Sequence, residues 1–166
     1  MSTATAAAGI LLATALASAA AAQEKSVMAQ LTGAWTLASV YVGEGDKKAE
    51  PYGPSPKGAL LLAPNGSFAL TIVRAGLGKF ASNNREQGTV EENTAVVKGS
   101  LAYFGSYTVT EAEHVIEVKI DGSTFPNFDG TSQKRLFKLS GDELTLTNAA
   151  PSGGGGTAVQ VWKRAK

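Results

Sequence analysis

The feature that most constrains the fold is the segment Leu31-Thr32-Gly33-Ala34-Trp35, which opens the first predicted strand. A glycine two residues before a tryptophan lets the backbone pass close beneath a sheet while the indole covers one end of its interior. Beyond Trp35 two alternating sets of residues continue to Val42, as in a strand with one buried face. The segment therefore predicts a small closed β-barrel with Trp35 at one end.

Seven further stretches show the same two-residue period and are separated by turn-forming residues. The predicted strands are residues 34–42, 58–63, 67–73, 103–109, 113–120, 132–139, 143–147 and 158–164. The clearest turn is Asn65-Gly66, a strong hairpin signal. Eight strands with hairpin-like connections predict an all-β fold, an up-and-down antiparallel barrel with room for a small ligand. A two-sheet sandwich is the alternative with the same number of strands.

One convincing helix interrupts the strands. Thr89-Val90-Glu91-Glu92 fits a capping box, in which the Glu92 side chain reaches back to the backbone at Thr89. A helix over residues 90–101 is predicted, with Ala95, Val96 and Leu101 against the barrel or across one mouth. Residues 26–30 are expected to form one helical turn over the barrel's end.

The amino-terminal residues 1–22 predict a secretory signal peptide. They form an uncharged, alanine-rich run too short for a stable membrane span, and Ala20 and Ala22 suit an A-x-A cleavage site. Cleavage after Ala22 would leave residues 23–166 as one secreted or periplasmic domain. The alternative is an alanine-rich tail, disordered or helical on the surface.

Composition excludes several classes of partner and chemistry. The chain has 15 basic and 14 acidic residues with no basic cluster, which argues against nucleic acid or an anionic membrane as partner. No apolar run after the leader is long enough to span a bilayer. One histidine, no cysteine and no Gly-x-Ser-x-Gly motif argue against a catalytic triad or a metal site. We expect no cofactor, and the sequence does not indicate the oligomeric state.

Polar side chains in the inward phase of the strands form the candidate ligand site. They are Tyr41, Tyr103, Tyr107, His114 and Arg135. A buried guanidinium needs a carboxylate, backbone carbonyls, water or a ligand anion as partner. Arg135 either forms a structural network with the tyrosines, reaches an open mouth, or joins a tyrosine hydroxyl in holding a ligand's carboxylate or carbonyl. A single β-bulge would invert the phase on which this assignment depends.

If Arg135 holds a ligand's carboxylate or carbonyl, the apolar tail of an amphipathic ligand would lie against an apolar wall of the barrel. The residues predicted for that wall are Leu37, Leu70, Ile72, Phe137 and Leu146.

The motifs together resemble the bacterial and fungal lipocalin-like domain family, over nearly all of the chain after residue 22. The ordered set is Leu31-Thr32-Gly33-Ala34-Trp35-Thr36-Leu37, Ala63-Pro64-Asn65-Gly66, Ala102-Tyr103-Phe104-Gly105-Ser106-Tyr107, Phe125-Pro126-Asn127, Gly130, Arg135, Leu144-Thr145-Leu146 and Trp162-Lys163-Arg164. By analogy with lipocalins, the resemblance implies that Arg164 stacks on Trp35 as a cation–π pair. It implies a fold and not a particular chemistry.

Three functions stay open at this point. The first is a secreted protein that binds a small hydrophobic or amphipathic molecule without chemistry. The second is an isomerase or cyclase in which Tyr107, His114 or Arg135 polarises a substrate carbonyl. The third is a protein-binding module, such as an inhibitor, that acts through the rim loops at residues 43–56 and 151–156.

Overall fold

Eight antiparallel strands form a closed barrel in the computed structural model, which describes residues 26–45 and 48–166. The strands are β1 (Gly33–Val42), β2 (Lys57–Leu62), β3 (Ser67–Val73), β4 (Ser100–Thr110), β5 (Val115–Ser123), β6 (Ser132–Ser140), β7 (Glu143–Asn148) and β8 (Ala158–Arg164). Each strand pairs with the next, and β8 pairs with β1. The up-and-down barrel is confirmed and the sandwich is excluded. The predicted signal peptide lies outside the described residues.

Two α-helices lie at opposite ends of the barrel, α1 (Val27–Leu31) next to the start of β1 and α2 (Val90–Gly99) before β4. The predicted capping box of α2 is confirmed, because Thr89 Oγ1 accepts from the Glu92 amide and the Glu92 carboxylate accepts from the Thr89 amide. The helix ends two residues earlier than predicted, since Leu101 already pairs with Ile72 in the sheet. Within the described residues, no helix has the length and apolar character needed to cross a membrane.

The connections between successive strands lie alternately at the two ends of the barrel, which we call the closed end and the open end. The closed end holds α1 and three short connections, including the predicted Asn65-Gly66 turn, in which Asn65 Oδ1 accepts from the Ser67 amide. Gly66 has a φ of 82°, which a non-glycine residue rarely adopts. The open end holds the loops at residues 43–56, 74–89, 124–131 and 149–157, together with α2.

Large side chains fill the closed half of the barrel. Trp35 is 1% exposed and Trp162 is fully buried, and they pack in one core with Leu31 and Leu144. The Trp35 indole N–H donates to the Leu31 carbonyl at 2.9 Å. The guanidinium of Arg164 lies 4.2 Å from the Trp35 ring centroid, so the stack implied by the resemblance is confirmed. Gly33 next to this stack has a φ of 130°, a backbone conformation that residues with a side chain rarely adopt.

A β-bulge in β1 reverses the side-chain phase halfway along the strand. Leu37 pairs with Trp162 while Ser39 pairs with Val161, so Ala38 is the extra residue. Before the bulge Trp35 and Leu37 are buried, whereas after it Val40 is the buried residue. The sequence-based prediction placed Ser39 and Tyr41 in the same phase as Trp35. That part of the prediction is wrong, because the bulge moves the inward face to Val40 and Val42.

Replacing Arg164 with methionine tests what the cation over Trp35 contributes. The change also removes the hydrogen bonds from the guanidinium to the carbonyls of Gln30 and Thr32. We expect the free energy of unfolding, measured by urea denaturation, to fall by about 1–2 kcal/mol. Lys163→Met is the matched control, since it breaks an exposed ion pair with Glu143 and is expected to change stability by less than about 0.5 kcal/mol. Equal losses in the two variants would contradict a special role for Arg164.

Candidate functional site

The open half of the barrel contains a cavity of about 650 Å³. Apolar side chains from four strands form much of its wall, among them Val40, Ile72, Leu101 and Ala158. A volume of this size is typical of sites that enclose small organic molecules. The barrel is therefore filled at the closed end and hollow at the open end.

Four segments surround the mouth of the cavity, and one of them, the loop between β7 and β8, contributes residues 151–155 to the lining. The last turn of α2 contributes Val96, Val97 and Lys98. The loop between β1 and β2 contributes Tyr52, and Arg74 anchors this loop by donating to the Pro51 carbonyl at 2.6 Å.

The third segment of the mouth lies between β5 and β6, where a 3₁₀ turn (Pro126–Phe128) presents two aromatic rings. The Phe125 and Phe128 rings meet edge to face at 5.1 Å, and both line the cavity. The entrance is thus mainly apolar, with one lysine at its edge.

Arg135 is a buried cation in the wall of the cavity. The residue is 5% exposed, as its inward phase on β6 predicted. Its Nη1 donates to the Lys134 carbonyl at 3.0 Å, and its Nη2 donates to Gln133 Oε1. Gln133 in turn donates to Thr131, and the Thr131 hydroxyl donates to the Phe128 carbonyl. A chain of neutral groups therefore orients the guanidinium.

The Tyr103 hydroxyl lies near this cation, and the Tyr52 hydroxyl lies near that of Tyr103. The Tyr103 ring packs edge to face between Phe68 and Phe128, at 5.8 and 6.0 Å. Burial raises the pKa of the Tyr103 hydroxyl, although the neighbouring Arg135 guanidinium acts in the opposite direction. Burial also raises the pKa of Tyr52, with Tyr103 adding to the effect and Arg74 opposing it. Both hydroxyls are therefore protonated at neutral pH and able to donate a hydrogen bond.

Two buried amides complete the polar part of the wall, and the sequence-based prediction missed both. Asn148 and Gln160 are each 8% exposed and line the cavity. The signal was present in the alternation of the strands, because Asn148 shares a phase with Leu144 and Leu146 and Gln160 shares one with Trp162. Tyr52 carried no such signal, since it lies in a loop.

The structure does not bring all five predicted site residues together. Tyr103 and Arg135 line the cavity, whereas Tyr41, Tyr107 and His114 do not. Tyr41 pairs with Val159, on the face of β1 opposite to that of Val40, and its ring lies beneath Lys48 Nζ at 4.3 Å. The prediction that Tyr41 faces the interior is wrong because of the bulge at Ala38.

His114 is exposed at the closed end. It follows a 3₁₀ turn (Glu111–Glu113) and has a left-handed φ of 53°, so β5 begins only at Val115. Its imidazole packs edge to face on Phe137 at 5.5 Å. The predicted inward orientation is wrong because the predicted strand began two residues too early, inside the turn.

Tyr107 is buried as predicted, but it also lies toward the closed end. Its hydroxyl donates to the Ala63 carbonyl at 3.0 Å, beside the β2–β3 turn. Of the predicted apolar wall, Ile72 lines the cavity. The other four residues, Leu37, Leu70, Phe137 and Leu146, belong to the packed core.

The match to a protein family agrees with this architecture. A family profile described as "Lipocalin-like domain" matches residues 32–165. A curated relative is the 4′-hydroxy-3′-methoxypropiophenone carrier protein ppsC of Aspergillus oryzae, 30% identical over 87 residues, which are 48% of this chain and 78% of the relative. Among solved structures, a mutant of the fluorescent protein UnaG covers 82% of this chain and 96% of its own, with a TM-score of 0.38 and 12% identity.

The capping box makes the start of α2 dependent on pH. The carboxylate of Glu92 accepts from the Ala81 and Thr89 amides, and these bonds hold its pKa below the ordinary value of 4.5. Because the folded-state pKa is the lower one, the stabilisation is complete above about pH 4.5 and is lost as the pH falls through the lowered value.

We expect the amide resonances of Ala81 and Thr89 to titrate together, with a midpoint below 4.5, in NMR spectra recorded against pH. Glu92→Gln should remove this titration from both amides. A midpoint at or above the ordinary glutamate value would show that the carboxylate does not hold the two amides.

Proposed function

The chain belongs to the lipocalin-like domain family, and from this premise we propose that its barrel binds a small hydrophobic or amphipathic molecule and carries it without chemical change. The observation that supports this proposal most directly is the cavity of about 650 Å³ in the open half of the barrel. Its walls are mostly apolar, with a few polar groups that converge, which is the usual composition of a site for a small organic ligand.

The shape of the site favours a ligand with one polar end. Apolar residues at the mouth, such as Val96 and Phe125, contact one part of a bound molecule, and Tyr103 and Arg135 contact another. Burying an apolar surface contributes roughly 25 cal/mol per Å², while the polar groups determine orientation. An amphipathic molecule satisfies both parts of the wall.

The curated relative supports a carrier role. Its name describes a carrier for a propiophenone with one hydroxy and one methoxy substituent. We propose that this chain likewise carries a molecule of that general size, and the identity of its ligand is left to experiment.

We also propose that residues 1–22 direct export and are removed after Ala22. This proposal rests on the composition of the leader alone. The denatured mass of protein produced with its own leader tests it, because cleavage after Ala22 gives the mass of residues 23–166. A native mass spectrum of the same sample would show a copurified ligand as a non-covalent adduct that is lost on denaturation.

Filling the cavity should abolish binding. Ala158 is buried at the cavity wall, so we expect Ala158→Phe to weaken binding of the neutral probe N-phenyl-1-naphthylamine by at least about tenfold, since the new ring occupies the ligand's space. Probe fluorescence reports the affinity. Val159→Phe is the matched control, because the next residue on β8 faces outward, and it should bind the probe as the wild type does.

Two outcomes would contradict the carrier proposal. Unchanged probe binding in Ala158→Phe would place the probe outside the cavity, and absence of binding in the wild type would argue against an accessible hollow interior. His114→Ala should leave binding unchanged, since this side chain lies at the closed end.

A further inference from the structure

We propose that the cavity selects organic anions, and that the ligand's negative group, a carboxylate or a phenolate, binds against Arg135. This inference rests on the proposed function and adds the charge of the ligand to it. It follows from the charges that line the cavity, from the hydrogen-bonding groups left unused there, and from the absence of a carboxylate beside Arg135 in the described part of the chain.

The charged groups of the cavity wall are all positive. Among the described residues that line it, the charged ones are Arg135 and Lys98, and none is an aspartate or glutamate. The nearest acidic positions along the lining segments, Glu50 and Asp129, are exposed and outside the lining. An anion entering the cavity therefore meets attraction at the mouth from Lys98 and deeper in from Arg135, and no described lining residue carries a carboxylate.

Arg135 has no anionic partner within residues 26–45 and 48–166. The ion pairs found there join Arg85 to Glu86, Lys163 to Glu143 and Arg164 to Asp142. The hydrogen-bond partners of the Arg135 guanidinium are neutral oxygens, those of Lys134, Gln133 and the Tyr103 hydroxyl. A buried cation is costly unless it is paired, and a ligand anion would supply the missing pair.

The neutral groups around the cation present donors to the cavity. The side-chain oxygen of Asn148 already accepts from the Ala150 amide, and that of Gln160 accepts from the Trp162 indole N–H. Each amide therefore has its NH₂ group left to offer a ligand. With the Tyr103 hydroxyl, these donors line the same cavity as the Arg135 guanidinium, and such a set suits an acceptor without protons of its own. A carboxylate or phenolate meets that requirement better than an alcohol or an amine.

A pair of fluorescent probes isolates the charge. 8-Anilinonaphthalene-1-sulfonate and N-phenyl-1-naphthylamine share the same aromatic skeleton and differ by the anionic sulfonate. We expect Arg135→Met to weaken binding of the sulfonate probe by about tenfold or more, the loss typical of a charge-assisted hydrogen bond. The affinity for the neutral probe should change by less than about twofold.

Lys134→Met is the matched control for this variant. It removes the same charge from the neighbouring residue, whose side chain is exposed on the opposite face of β6. We expect it to leave the affinities for both probes unchanged. The Tm of the ligand-free wild type and variants is a second measurement. Removing an unpaired buried cation should leave Tm unchanged or raise it. A large fall in Tm for Arg135→Met would instead assign Arg135 a structural role and overturn the proposal.

A measurement on the wild-type protein tests the proposal without a variant. Decanoate and 1-decanol have the same chain length and differ in the charge of the head group. We expect decanoate to displace the bound neutral probe at a concentration about tenfold lower than decanol does. Equal displacement by the two, with probe binding still abolished by Ala158→Phe, would overturn the anion preference and leave the carrier proposal standing. No binding of either probe would count against both.

Discussion

The contact between Trp35 and Arg164 holds together the end of the barrel where β1 begins and β8 finishes. These two strands pair to close the barrel. The Arg164 cation of β8, which stacks on the Trp35 indole of β1, therefore links the two strands where the barrel closes. The same guanidinium bonds to the backbone of the segment leading from α1 into β1. This end is packed with Trp35, Trp162 and aliphatic side chains. Their hydrophobic core stabilises the barrel, and the other half of the barrel can therefore be hollow.

The division into a packed half and a hollow half determines where chemistry is possible. Tyr107 and His114 lie toward the packed end. There the Tyr107 hydroxyl donates to a backbone carbonyl beside the β2–β3 turn, and the His114 imidazole contacts Phe137. Arg135 and Tyr103 lie at the cavity, among groups that donate hydrogen bonds and beside an apolar mouth. The polar residues of the barrel are thus separated along its axis. The isomerase or cyclase hypothesis loses the histidine it invoked, since His114 does not reach the cavity.

Most of the fold could be predicted from local patterns. The Asn65-Gly66 turn, the capping box at Thr89 and the alternation along β6 each depend on residues a few positions apart. Part of the site could be predicted in the same way: alternation placed Arg135 and Tyr103 inside, and it would have placed Asn148 and Gln160 there as well. Tyr52 could not be found by this means, because a loop has no period and its position depends on how Arg74 anchors the neighbouring Pro51.

Local chemistry in the chain was enough to establish eight strands, their turns, the helix start and the buried cation, because these depend on short-range sterics, hydrogen bonds and side-chain alternation. The tertiary structure decided which residues meet. Pairing with β8 makes Ala38 an extra residue in β1, which turns Tyr41 outward and Val40 toward the cavity. The 3₁₀ turn at Glu111–Glu113 and the left-handed residue His114 delay the start of β5 by two positions. The first effect arises from register across strands, where a shift of one residue reverses the face of every side chain that follows. The second arises from the backbone conformation of the turn that precedes β5.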